Sequence, residues 1–157
     1  MMSKEALTDL CARAVRAAKR AGADEAEVYA EHDRDTTVSF QKNDLDQVSE
    51  AQETTFGVRV FRNNSMGFAT SNRPDQLNEV VAAAVDMARH TPADEFNRLP
   101  ASQPVPDVPD QVDPALLAWT TAELVKMGAD LLKRVLAADA RVTVDTADLS
   151  VSEVVRA

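Results

Sequence analysis

The sequence predicts an α+β fold: a mostly antiparallel sheet of about five to six strands with helices packed on one face. Three observations carry that expectation. Amphipathic helical periodicity stands before and after a run whose apolar period is two, that run alternates apolar and polar side chains, leaving one sheet face wet, and no βαβ alternation occurs. With 157 residues, 45% apolar and 27% charged, the chain has the length and composition of one soluble globular domain.

The first helix is expected over 3–21. Leu7, Leu10, Cys11, Ala14, Ala18 and Ala21 fall on one stripe, Arg13, Arg16 and Arg20 on another, and Gly22 is the stop. From Glu25 the period becomes two. Ala26, Val28 and Ala30 alternate with Glu27, Tyr29 and Glu31, and then Thr36, Val38 and Phe40 alternate with Thr37, Ser39 and Gln41. "DRD" and "KND" read as the turns between strands. Leu45 and Val48 are out of phase with each other, which predicts a bulge or an edge position over 45–51.

Phe56, Val58 and Val60 point one way, and Thr55, Gly57 and Arg59 the other. Asn63 and Asn64 suit the positive-φ positions of a tight hairpin turn, after which Met66, Phe68 and Thr70 are expected to return along the inner face. That places Gly57 and Gly67 on the outer face, where either a ligand backbone or a closely packed element would need them. Pro74 opens a second helix to His90, with Leu77, Val80, Val81, Ala84, Val85 and Ala88 on its apolar stripe.

Five prolines between Thr91 and Asp113 mark an extended linker. Asp113 and Pro114 then start a third helix to Ala138, its buried side expected along Leu117, Leu124, Leu131 and Val135. Trp119 reads as a partly buried anchor, and Gly128 in mid-helix marks close packing. A final strand carries Val142, Val144, Leu149 and Val151. It ends without turn or cap, so the chain is expected to be a fragment. The domain organisation so read is 1–91 for the first helix, the antiparallel strands and the second helix, 92–113 for the linker, and 114–157 for the third helix and final strand of the same domain.

Charge excludes some functions. The formal net charge is -9 and the pI is about 4.7, so the field repels nucleic-acid phosphate, and 4% aromatic residues are too few for a base-stacking platform. The acids concentrate between Asp24 and Glu53, as solvated faces or as a polar lining for a cationic or peptide substrate. No apolar run could span a bilayer and no secretory leader opens the sequence. A lone cysteine, Cys11, excludes an internal disulfide and suits the cytoplasm.

Catalytic patterns are missing. Two histidines, His32 and His90, lie far apart in sequence with no His-Glu-x-x-His spacing. Both are explained structurally, His90 by a helix C-terminus. The pairs Glu25 and Glu27 or Asp33 and Asp35 sit two apart on a wet strand face, where nothing apolar would raise a pKa. Cys11 lies on an apolar stripe and reads as a structural thiol. No catalytic, cofactor-binding or metal-binding residue is assigned.

The fragments "GADEAEVYAE", "TTVSFQKNDLDQVSEA", "FGVRVFRNNSMGFATSN" and "AAAVDMARHTPADEFNRLP", in this order and spacing, resemble the N-terminal half of TldD/PmbA proteins. The likeness runs from about Leu7 to Pro100, and more weakly over the third helix and "VSEVVRA". The ending "ARHTPADEFNRLP" is closer to the PmbA/TldE branch. The resemblance implies a TldD/PmbA N-terminal domain-like fold in a cytosolic metallopeptidase system, first named for modulators of DNA gyrase, that degrades or matures unfolded peptides. Zinc is expected only in a TldD-like partner, and the C-terminal metallopeptidase-like domain is expected to be absent here. The implied role is a non-catalytic domain that pairs with a TldD-like subunit around a peptide substrate. The alternative is a stand-alone interaction module that self-associates through its open last strand or its Gly57/Gly67 face. Neither role involves nucleic acid or a membrane.

Overall fold

The computed structural model describes residues 2–101, 103–104, 106 and 108–157. Its elements run α1 (Lys4–Arg20), β1 (Glu25–Gln41), β2 (Asp44–Arg62), β3 (Ser65–Ser71), a 3-10 turn (Pro74–Gln76), α2 (Leu77–His90), α3 (Pro114–Leu117), α4 (Thr121–Ala138) and β4 (Thr146–Arg156). The sheet has four strands in the order β3-β2-β1-β4. Fold class is as expected, but the strand count among the described residues is four instead of five to six.

Two merged pairs account for most of the difference. Asp33, Arg34 and Asp35 continue β1 without turning, because cross-strand partners hold the segment extended: Asp35 accepts a hydrogen bond from the Ser152 hydroxyl and Thr37 meets Ser150 at 3.0 Å. Turn-forming composition loses to ladder pairing there. The segments on either side of Glu53 likewise form one strand, β2. At the other end, Val142 and Val144 precede the final strand, which starts at Thr146. "KND" does turn, with Lys42 and Asn43 at φ 50° and 73°.

Residues group into two compact units. The first comprises Met1–Asp33, Glu53–Val105 and Val154–Ala157. In it α1 and α2 lay Leu7, Leu10, Ala14, Val81 and Ala84 on Phe56, Val58 and Val60 of β2. The sequence dictates each end of α1: Ser3 accepts from the Ala6 N–H at 3.3 Å, and Gly22 follows the helix at φ 97°.

The hairpin of this unit corrects one expectation. Asn63 and Asn64 take φ 49° and 62°, and Arg62 pairs with Ser65. Val60 then faces Gly67, and Val58 faces Ala69, so the odd residues of β3 share the core face with the even residues of β2. Gly67 and Ala69 are therefore inside, whereas Met66 and Phe68 are 36% and 46% exposed on the outer face.

The second unit comprises Arg34–Gln52 and Pro106–Glu153. Its core joins Val38 and Phe40 of β1 to Leu124 and Leu132 of α4, with Leu149 and Val151 of β4 packed alongside. The expected third helix divides at Thr120, whose hydroxyl accepts from the Glu123 N–H at 3.3 Å while the Glu123 carboxylate accepts from the Thr120 N–H at 2.7 Å. This capping box starts α4 afresh and holds the Glu123 carboxyl below its ordinary range. The buried stripe is Leu124, Gly128 and Leu132. Leu117, Leu131 and Val135 are exposed, contrary to expectation. Gly128 decides the rotation: a Cβ there would lie 2.3 Å from the Phe40 ring, so this side of the helix takes the closest approach.

Asp44–Gln52 of β2 is exposed throughout. The β3 register starts only at Phe56, so this stretch is a sheet edge, one of the two options its irregular alternation left open. The linker holds no helix or strand among the described residues; 102, 105 and 107 lie outside them.

Candidate functional site

A set of charged and aromatic side chains lies on the outer face of the strands of the first unit. Cross-strand register assembles it from positions far apart in sequence. Glu31 of β1 accepts hydrogen bonds from the Tyr29 hydroxyl at 2.5 Å and from Arg156 Nε at 2.7 Å. The tyrosine bond, followed by the arginine, holds the Glu31 carboxyl below its ordinary range, and the same bond pushes the Tyr29 phenol up. Next to them Glu27 pairs with Arg59, whose guanidinium stands 5.9 Å from the centre of the Phe61 ring. Phe68 lies over Gly57, where a Cβ would come within 3.1 Å of its ring.

This arrangement binds itself together. Arg59 and Arg156 are each engaged by a carboxylate, and Glu31 is stabilised as the anion, so it is unsuited to donate a proton near neutrality. Gly57 and Gly67 have packing roles. Gly67 admits α2: a Cβ would sit 1.9 Å from the Ala84 carbonyl oxygen and 2.6 Å from the Ala88 nitrogen. Sequence periodicity could not show these cross-strand ion pairs, since each depends on the register between separate strands, which for Glu31 and Arg156 lie more than a hundred residues apart.

The other candidates stay apart. His32 is buried and its Nδ1 lies 2.7 Å from the Thr54 hydroxyl. His90 ends α2, 3.9 Å from Asp86. Cys11 is half-buried, and burial pushes its thiol pKa up, which lowers its thiolate fraction. Glu25 accepts from the Leu99 N–H at 2.5 Å, a structural tie for the linker. Trp119 packs beside the α4 core as a partly buried anchor. Among the described residues no group of three His, Cys, Asp or Glu side chains could hold a metal ion. Among them also, no helix is long and apolar enough to cross a membrane.

Residues 26–88 match the family described as PmbA/TldA metallopeptidase domain 1. Among solved structures, TldE from Thermococcus kodakarensis matches at TM-score 0.80 and 20% identity, over 94% of this chain and 34% of that one. A protein from Bacteroides thetaiotaomicron described as a modulator of DNA gyrase matches at TM-score 0.83 and 18% identity, over 99% of this chain and 36% of its own. A similarly described protein from Thermotoga maritima matches at TM-score 0.66 and 15% identity, over 95% and 37%. No curated protein matched the sequence. The chain thus spans about a third of the length of the solved structures it matches.

Proposed function

We propose, from the match of residues 26–88 to PmbA/TldA metallopeptidase domain 1, that this chain is a non-catalytic N-terminal domain of the PmbA/TldE-like kind, which pairs with a zinc-carrying TldD-like subunit and helps enclose an unfolded peptide. One observation carries the non-catalytic part. The hairpin that most identifies the family uses its glycines for packing, Gly67 against α2 and Gly57 beneath Phe68, and the charged groups around it neutralise one another. A TldE among the structural neighbours supports the branch. The peptide class, the partner and a cytoplasmic location follow from the family resemblance.

The pairing is tested by mixing the purified chain with a TldD-like subunit and following co-elution by size-exclusion chromatography. The expected result is a complex containing both chains. Separate elution at concentrations well above those of the cell overturns the pairing.

A further inference from the structure

The arginine stripe of α1 lies outside the core cluster of the first unit. Arg13, Arg16 and Arg20 are exposed, and together with Pro74, Leu77 and Asn78 at the entry to α2 they line a groove of about 310 Å³. All of these residues belong to the first unit. The groove's volume falls within the range of ligand sites, about 300–1,000 Å³.

Little on the protein answers this positive charge. Asp9 pairs with Arg13 at 2.9 Å. Asp75, the carboxylate in the groove, accepts from Arg73 at 2.8 Å, and that bond holds its carboxyl below the ordinary range. Among the described residues neither Arg16 nor Arg20 has an ion-pair partner, although the chain as a whole carries a net charge of -9. Like charges one helical turn apart disfavour each other, so an anion shared between these two guanidinium groups relieves a repulsion as well as gaining hydrogen bonds.

The spacing describes the ligand. Arg13 to Arg20 spans about 10 Å along the helix axis, too far for one phosphate or carboxylate group to bridge. An extended peptide sets its same-side side chains about 6.6 Å apart, so acidic residues at alternate positions can each reach a guanidinium and accept the paired hydrogen bonds of its planar fork. Pro74 and Leu77 offer an apolar wall to the aliphatic stems of such side chains. Exposed charges are screened beyond about 8 Å at physiological salt, so the acidic surface elsewhere does not prevent a short segment from docking, whereas a nucleic acid running past the groove meets that surface. We propose that this groove binds a short acidic peptide segment in extended conformation, with Arg16 and Arg20 as its anchors. The proposal rests on the groove alone and is independent of the pairing with a TldD-like subunit.

Fluorescence anisotropy of the full chain with a labelled peptide of alternating glutamate and serine tests it. Saturable binding is expected, and the counterpart with glutamine in place of glutamate should not bind. The double variant Arg16→Gln/Arg20→Gln should weaken binding about tenfold with an unchanged melting temperature, because both side chains are exposed and unpaired. Arg134→Gln, which removes an exposed arginine of α4 outside the groove, should bind like wild type and so separates the groove from net charge. The proposal is overturned if wild type does not bind the glutamate peptide, or if the double variant binds as tightly as wild type. It is also overturned if Arg134→Gln loses as much affinity as the double variant. Inorganic phosphate that displaces the peptide at equal concentration would mark a site for single anions, and an oligothymidylate that binds more tightly than the peptide would mark a nucleic-acid surface; either contradicts the peptide assignment.

Discussion

Replacing Gly67 with valine is expected to cost about 3 kcal/mol or more of stability and to lower the melting temperature by roughly 6–12 °C. The reason is the identity of the atoms in the way. A Cβ at this position meets the Ala84 carbonyl oxygen at 1.9 Å and the Ala88 nitrogen at 2.6 Å, both of them backbone. A side-chain neighbour could rotate aside, but here β3 or α2 must move, and that displaces Val81, Ala84 and Ala88 from the core they share with Val58 and Val60. Gly57→Ala is the internal control. Its added Cβ meets the ring of Phe68, which is 46% exposed and free to swing outward, so its effect should stay within about 0.5 kcal/mol. Thermal melts of the two variants against wild type check the contrast. Equal losses would show that Gly67 is not the contact point between strand and helix.

The second large effect is expected at Phe56. This ring is fully buried among residues of α1 and α2, and truncation to alanine should cost about 3–5 kcal/mol through lost burial and the cavity left behind. The loss should be local in a chain with two cores. Hydrogen exchange in Phe56→Ala should quicken in α1 and α2 more than in α4, which packs in the separate cluster around Phe40, Leu124 and Leu132. Uniform acceleration over all three helices would mean that the two clusters unfold as one.

Much of this fold is legible in the sequence wherever the signal is local. The α1 stripe, its Gly22 stop, the Asn63 and Asn64 turn and the regular α2 stripe are each set by residues within a few positions of one another. The errors arise where distant partners decide. Asp33, Arg34 and Asp35 have turn chemistry yet stay extended because β4, more than a hundred residues on, pairs with that stretch. Met66 and Phe68 alternate correctly, but which phase faces the core depends on the pairing of Arg62 with Ser65. α4 carries two apolar stripes, and only the Phe40 ring selects the one containing Gly128. The outer-face cluster of Tyr29, Glu31 and Arg156 is invisible for the same reason. Gly67 shows the converse: its residue type was a usable signal of close approach, and the approaching body is a helix on the inner face.

The role proposed for the chain is that of a scaffold, with chemistry supplied by another subunit. The most direct test is to measure the zinc content of the purified chain and its hydrolysis of an unstructured peptide in the same sample. The expected result is substoichiometric zinc and no cleavage above the buffer rate. Stoichiometric zinc together with cleavage that a chelator abolishes would contradict the account.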